Sequence, residues 1–181
     1  MLLPLLVTAR SDDAELAALM SRLAAVPERR VAFTEEQTSS LLDVPLVQSG
    51  SLYYRRPDYL ERQVGQRRAI IDGERVILDD GQGQRREIGL DDLPLLRAFV
   101  ASFRALLAGD LEALRRHYRV ALDRQGAQWH VRLEPRDARM RAVVSGIEVE
   151  GQGDRPERFV LLETNGDRTV TEFRTLQDAN E

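Results

Sequence analysis

Residues 49–63, SGSLYYRRPDYLERQ, read as two short strands joined by a Pro-Asp turn. Alternation with a period of two places Leu52, Tyr54 and Arg56 on one face of the first strand, and Ser51, Tyr53 and Arg55 on the other. In the second strand Leu60, Arg62 and Val64 stand against Tyr59, Glu61 and Gln63. The more apolar face of each strand therefore carries an arginine. A guanidinium on a face that packs into a core must be paired or used, because an unpaired buried charge is strongly destabilising. By the same parity Phe159, Leu161 and Glu163 share a strand face, which makes Glu163 a candidate partner for Arg56 or Arg62.

The texture of this stretch extends in both directions. From Val31 to about Leu90, short alternating runs are punctuated by Gly50, Pro57, Asp72-Gly73 and the DDGQGQ loop, as in an antiparallel meander. Strands resume after residue 118 as RVALDRQ, QWHVRLEP, VVSGIEVEG, ERFVLLET and RTVTEFRTL, the last two joined by a hairpin signal, NGD. Ahead of the first block, residues 12–26 set Leu16, Leu19, Met20 and Leu23 at helical spacing, begin with acids and stop at Pro27. Residues 91–118 are helical again and divide at Gly109, with Asp110 suited to cap the second piece. This order predicts an α+β fold, a large antiparallel sheet with helices on one face. No repeat or linker interrupts it, so residues 11–181 read as one domain. Residues 1–10 are either a frayed apolar start or the remnant of an export signal.

Composition narrows the function. The 181 residues are 31% charged and 43% hydrophobic with a net charge of −4, and all basic residues are arginines scattered among carboxylates, which argues against nucleic-acid binding. The absence of cysteine removes disulfides, thiolate catalysis and thiolate metal sites. Two histidines, His117 and His130, read as solvated surface residues, too few for a histidine metal site. The pairs Asp12-Asp13, Asp79-Asp80 and Asp91-Asp92 fall at helix starts and turns, and no phosphate-binding loop, nucleophile elbow or dinucleotide fingerprint is present. No catalytic set, metal or cofactor is expected. Between Leu95 and Gly109 the only charges, Arg97 and Arg104, share one narrow stripe, while apolar residues cover most of the remaining circumference. Such a helix is either a central core helix or one that lines or covers a lipophilic cavity. The leading expectation is a monomeric binding protein with an apolar interior. The alternatives are an enzyme or accessory subunit acting on an acyl or polyene compound, and a module that docks on another protein through helix 95–108. By parity the candidate cavity lining is Phe33, Leu52, Tyr54, Leu60, Phe99, Phe103, Leu107, Trp129, Val131, Ile147, Val149, Phe159 and Leu161.

The segment RVAFTEEQTSSLLDVPLVQSGSLYYRRPDYLERQ followed by IIDGERVILDD resembles the LolA family of periplasmic lipoprotein carriers. The shared pattern is Phe33-Thr34 in the first strand, Gly50 opening the second, Arg56-Pro57-Asp58 at the hairpin and Asp72-Gly73 before an apolar strand. GAQWHVRLEP, VVSGIEVEG and FVLLETNGDRTVTEF look like the family's closing strands, so the likeness covers residues 28–176. The resemblance implies a strongly curved sheet of about 11 strands, an unclosed barrel whose concave face is covered by helices. It also implies a periplasmic carrier of acyl chains, without cofactor, that meets membrane-bound donor and acceptor proteins. The arginine matching Arg56 would reach from the sheet to the backbone of the helical lid as a latch. The chain departs from the pattern at Arg62, where relatives often have an aromatic residue, in its longer helical segment and in ending at Glu181. These departures fit a family member that serves another lipid or acylated product.

Overall fold

The computed structural model of the protein describes residues 8–41 and 43–176. A first helix, α1 (Thr8–Ala24), leads into six strands: β1 (Glu28–Thr38), β2 (Leu46–Arg55), β3 (Tyr59–Val64), β4 (Arg67–Asp72), β5 (Arg75–Asp79) and β6 (Arg85–Gly89). A 3-10 turn at Leu90–Asp92 precedes α2 (Pro94–Ala108) and α3 (Leu111–His117). Then come β7 (Tyr118–Gln125), β8 (Gln128–Pro135), a single helical turn α4 (Ala138–Arg141), β9 (Val144–Gln152), β10 (Arg155–Glu163) and β11 (Arg168–Thr175). Helix α1 begins ahead of the expected Asp12, so residues 8–10 are helical, and the rest of the proposed export signal lies outside the described residues. No helix among the described residues is long and apolar enough to cross a membrane.

All eleven strands join one antiparallel sheet in the order β6-β5-β4-β3-β2-β1-β11-β10-β9-β8-β7. The first block runs outward from the centre to one edge, and the second returns from the far edge to meet β1 through β11. Phe33 faces Phe173 at that central seam. The sheet does not close, since β6 and β7 each have a neighbour on one side only. The segment 91–118 must therefore span from one edge of the sheet to the other, and the direct route crosses the inner, concave face. This topology is why α2 is a lid.

Local chemistry fits the route. Pro94 occupies the first turn of α2, where its missing N–H costs no hydrogen bond. Gly109 ends the helix in the left-handed region at φ 68°, its N–H donating to the carbonyls of Ala105 and Leu106. A side chain there would also collide with α1, because a Cβ on Gly109 would lie 2.5 Å from Met20 O and 2.7 Å from Ala24 Cβ. The Asp110 carboxylate caps α3 by accepting from Ala113 N at 2.8 Å. Helix α1 buries Leu16, Leu19, Met20 and Leu23 in the same core that takes Ala98, Val100, Phe103, Leu106 and Leu107 of α2. Among the described side chains of α2, the apolar ones are thus covered on one side by the sheet and on another by α1. That corrects the expectation of a helix 95–108 free to dock on a partner.

Strand β2 starts at Leu46, ahead of Gly50, which lies inside the strand rather than opening it. A Cβ added at Gly50 would stand 1.9 Å from the Gln63 carbonyl oxygen and 3.1 Å from the Phe33 ring, so this crossing admits glycine alone. At Gly146 the nearest atoms to an added Cβ are 3.8 Å away, ordinary contact. Gly50→Ala is expected to destabilise the protein by roughly 1–3 kcal/mol through overpacking. Gly146→Ala should be neutral or stabilising by about 0.5 kcal/mol, since it restricts the unfolded chain. Urea denaturation midpoints of the two variants check this, and equal midpoints would contradict it.

Candidate functional site

The inner face of the sheet is built from cross-strand rows. One row runs Arg29, Tyr54, Leu60, Ile71, Val76 and Ile88 across β1 to β6. A second runs Phe159, Val149, Val131 and Leu122 across β10 to β7. Phe103 of α2 stands over the centre, its ring 6.3 Å from Tyr54, 6.1 Å from Phe159 and 5.8 Å from Phe173.

A cavity of about 540 Å³ opens where β1 begins and β11 ends, between the sheet and α2. Val31, Leu52, Tyr54, Phe103, Leu107 and Phe173 are its mainly apolar walls, with Arg29 and a charged rim from β10 and β11 around them. Such a volume is within the roughly 300–1,000 Å³ of small-molecule sites. Of the side chains that parity marks as lining, Leu52, Tyr54, Phe103 and Leu107 reach this space. Phe33, Leu60, Trp129, Val131, Ile147, Val149, Phe159 and Leu161 are buried but belong to the packed core beside it. Parity finds the inner face, whereas the space left open depends on where α1 and α2 rest. The side chain of Phe99 lies outside the described residues. Val31, Phe173 and Arg29 were missed, although Val31 and Arg29 share the parity of Phe33, which was chosen.

Three arginines fasten the helices to the sheet through backbone carbonyls. Arg104 of α2 donates to Gly73 O at 2.9 Å and to Asp58 O, joining the lid to the β4–β5 and β2–β3 turns. Burial pulls its pKa down, opposed chiefly by Asp58. Arg56, exposed and one residue past β2, donates to Ala24 O at 2.6 Å at the end of α1. Arg29 donates to Leu23 O at 3.4 Å, a long contact, in the same last turn. The carbonyls that end a helix have no partner within it and lie at its negative pole, so guanidiniums suit them. The hairpin at Arg56-Pro57-Asp58 thus touches both helices, α1 by its arginine and α2 by its carbonyl.

The inward Arg62 is neutralised within the sheet. Its Nη2 lies 2.8 Å from Glu35 Oε1, and its guanidinium covers the Phe33 ring at 4.6 Å. Glu35 also accepts from Gln48 at 3.1 Å and from the buried Thr171 hydroxyl at 3.1 Å. This corrects the pairing with Glu163, which ends β10 at Val144 of β9. There burial pushes the Glu163 pKa up and the neighbouring Asp167 adds to the shift. His130 is also less solvated than expected. Its Nε2 is buried 3.5 Å from Glu148 Oε2, and His130, Glu148 and Glu150 hold their donor atoms within 4.8 Å of one another on the outer side. Arg158 already pairs with Glu150 at 3.2 Å in that group.

Comparison with known proteins supplies a family. The family described as outer membrane lipoprotein carrier protein LolA-like matches residues 7–174, which include α1 as well as the strands. Curated proteins show no significant sequence similarity to the chain. Among solved structures, a LolA superfamily protein from Nitrosomonas europaea is similar at 6% identity and a TM-score of 0.44, over 87% of this chain and 90% of that one. A DUF1329 family protein from Desulfovibrio piger is similar at 9% identity and a TM-score of 0.47, over 90% and 91%. A structure of the CwlD amidase from Clostridioides difficile in complex with the GerS lipoprotein matches at 8% identity and a TM-score of 0.42, over 92% and 91%.

Two of these fasteners, Arg104 and Arg56, differ in exposure, and so should their energetics. Arg104→Met retains an apolar stem but withdraws charged hydrogen bonds from two turn carbonyls, an expected loss of about 2–4 kcal/mol. Arg56→Leu removes one solvent-exposed contact, for less than about 1 kcal/mol. Chemical denaturation of both variants tests the ranking, and a larger loss at Arg56 would reverse it.

Proposed function

This chain belongs to the outer membrane lipoprotein carrier protein LolA-like family, and from that membership we propose that it is a non-catalytic carrier. It shelters the acyl chain of a lipoprotein or other lipid between the concave sheet and helices α1 and α2. The observation that carries the proposal is the mainly apolar cavity of about 540 Å³ beneath α2, walled by Leu52, Phe103, Leu107 and Phe173. Each methylene moved into such a space contributes about 0.8 kcal/mol. Uptake needs no covalent chemistry, only a lid that can part from the sheet. Arg104 attaches α2, and Arg56 attaches α1, through hydrogen bonds to a few carbonyls, which can be exchanged for water without unpacking the strands. The proposed location is the periplasm.

The outer end of the β1–β2 hairpin adds a contact surface for a donor or acceptor. Leu41 and Val44 are 91% and 72% exposed there, with Leu46 and Val47 beside them. The Ser39 hydroxyl and Ser40 N–H hold this end to the Asp167 carboxylate at 2.7 and 3.0 Å.

Purified protein extracted with organic solvent is expected to release a fatty-acyl or lipoprotein-derived ligand in mass spectrometry. Protein that is consistently empty and also ignores apolar fluorescent probes would refute the carrier role. Arg56→Leu should speed release of a bound fluorescent acyl probe while shifting the denaturation midpoint little. Arg55→Leu is the control, since Arg55 faces the outer side over the Tyr59 ring. Equal release rates from the two variants would remove Arg56 as a latch.

A further inference from the structure

Among the described residues, three of the buried side-chain atoms that lack a hydrogen-bond partner are donors in one neighbourhood: the Tyr54 hydroxyl, Arg29 Nε and Arg104 Nε. Tyr54 and Arg29 face each other across β1 and β2, and both line the cavity. Tyr54 is 1% exposed, so its hydroxyl cannot turn to bulk water. Among the described residues Arg29 makes one bond, to Leu23 O, which is 3.4 Å long and leaves most of its donors uncommitted. The electrostatics agree with the geometry. Burial raises the Tyr54 pKa, while Arg56, Arg104 and Arg29 all act on the same hydroxyl in the opposite sense and Asp58 opposes them. Five arginines and three glutamates stand in the cavity or on its rim, and one of each, on the outer side, is spent on the Arg158–Glu150 pair. The remainder is net positive.

Unpaired buried donors destabilise a protein unless an acceptor meets them. A guanidinium Nε–H donates only, and a tyrosine hydroxyl beside it is best used as a donor as well. The complementary ligand is acceptor-rich and anionic. The geometry points to a head-group site at Arg29 and Tyr54 for an amphiphile with a carboxylate or phosphate head, its acyl chain running over Leu52, Phe103 and Leu107 beneath α2. This inference rests on the carrier reading of the same cavity and adds the class of cargo. Arg29 supplies the charge and Tyr54 a short directional bond. The apolar walls take the chain that water expels.

The test uses the full chain, stripped of lipid, with four probes: palmitoyl lysophosphatidic acid, palmitate, monopalmitoylglycerol and inorganic phosphate. Calorimetric titration is expected to give an affinity for the two anionic amphiphiles about tenfold or more above that for the neutral glyceride. Tyr54→Phe should erase most of that preference, leave the glyceride unchanged and leave the denaturation midpoint equal or higher, because it removes an unpaired buried hydroxyl. Arg29→Gln should erase the preference as well. Equal affinity for neutral and anionic amphiphiles, or a Tyr54→Phe variant that weakens both alike, would overturn the head-group site while the carrier reading stands. Inorganic phosphate that displaces the anionic amphiphile at matched concentration would reduce the site to one for free anions and overturn it too. Failure of every amphiphile to bind would end the inference and the carrier reading together.

Discussion

Arg104 is the one charge that α2 carries into the interior, and the arrangement of the molecule turns on what it finds there. Its guanidinium meets the carbonyls of Asp58 and Gly73, two turns on the same side of the sheet. A half-buried guanidinium without such acceptors would be destabilising, so these bonds favour the rotational setting the helix adopts. That setting directs Phe103 onto Tyr54, Phe159 and Phe173, and it leaves open the space beside Leu107. Lid position, aromatic packing and cavity therefore share a cause.

The same logic separates two kinds of polar group on the concave face. Around Glu35 acceptors and donors are matched, with Arg62, Gln48 and Thr171 all bonded to one carboxylate. A satisfied network of this kind rigidifies its surroundings and fixes register. Around Tyr54 the donors outnumber the acceptors. The first region holds the central strands together, and the second lies where the helices meet the sheet and where the cavity opens. A sheet that remains unclosed can tolerate this division, because helices, rather than a further row of strand hydrogen bonds, cover its inner face. Such cover is held by side chains and can move without breaking the ladders.

The elements themselves were legible in the sequence. Alternation of period two is a local property, and it marks the strand runs on either side of the helical segment 91–118 together with their inner faces. Helical spacing likewise reveals α1 and α2, and Gly109 with Asp110 marks the break before α3. The short turn α4 gave no periodic signal because four residues are too few to show one. Arg29 was overlooked although it shares the parity of Val31 and Phe33, since a residue at the start of a strand offers no second neighbour from which its face can be read.

Partnership was not legible, and the reason is physical. Arg62 and Glu163 share an inward parity, but parity says nothing of the distance between strands, and the sheet order puts β3 beside β2 and β10 beside β9 and β11. Glu35 wins because β1 lies two strands from β3 and an arginine stem can span that diagonal past Phe33. The cavity is a still less local property. Phe33, Trp129, Ile147 and Leu161 have the same pattern as Leu52 and Tyr54, yet one set is packed shut and the other borders open space. By itself the sequence determined which faces are apolar, where the helices fall and that arginines point inward. Only the tertiary structure decided which of those arginines are neutralised, which fasten the lid and which are left with donors to offer, because these outcomes depend on contacts between residues distant along the chain.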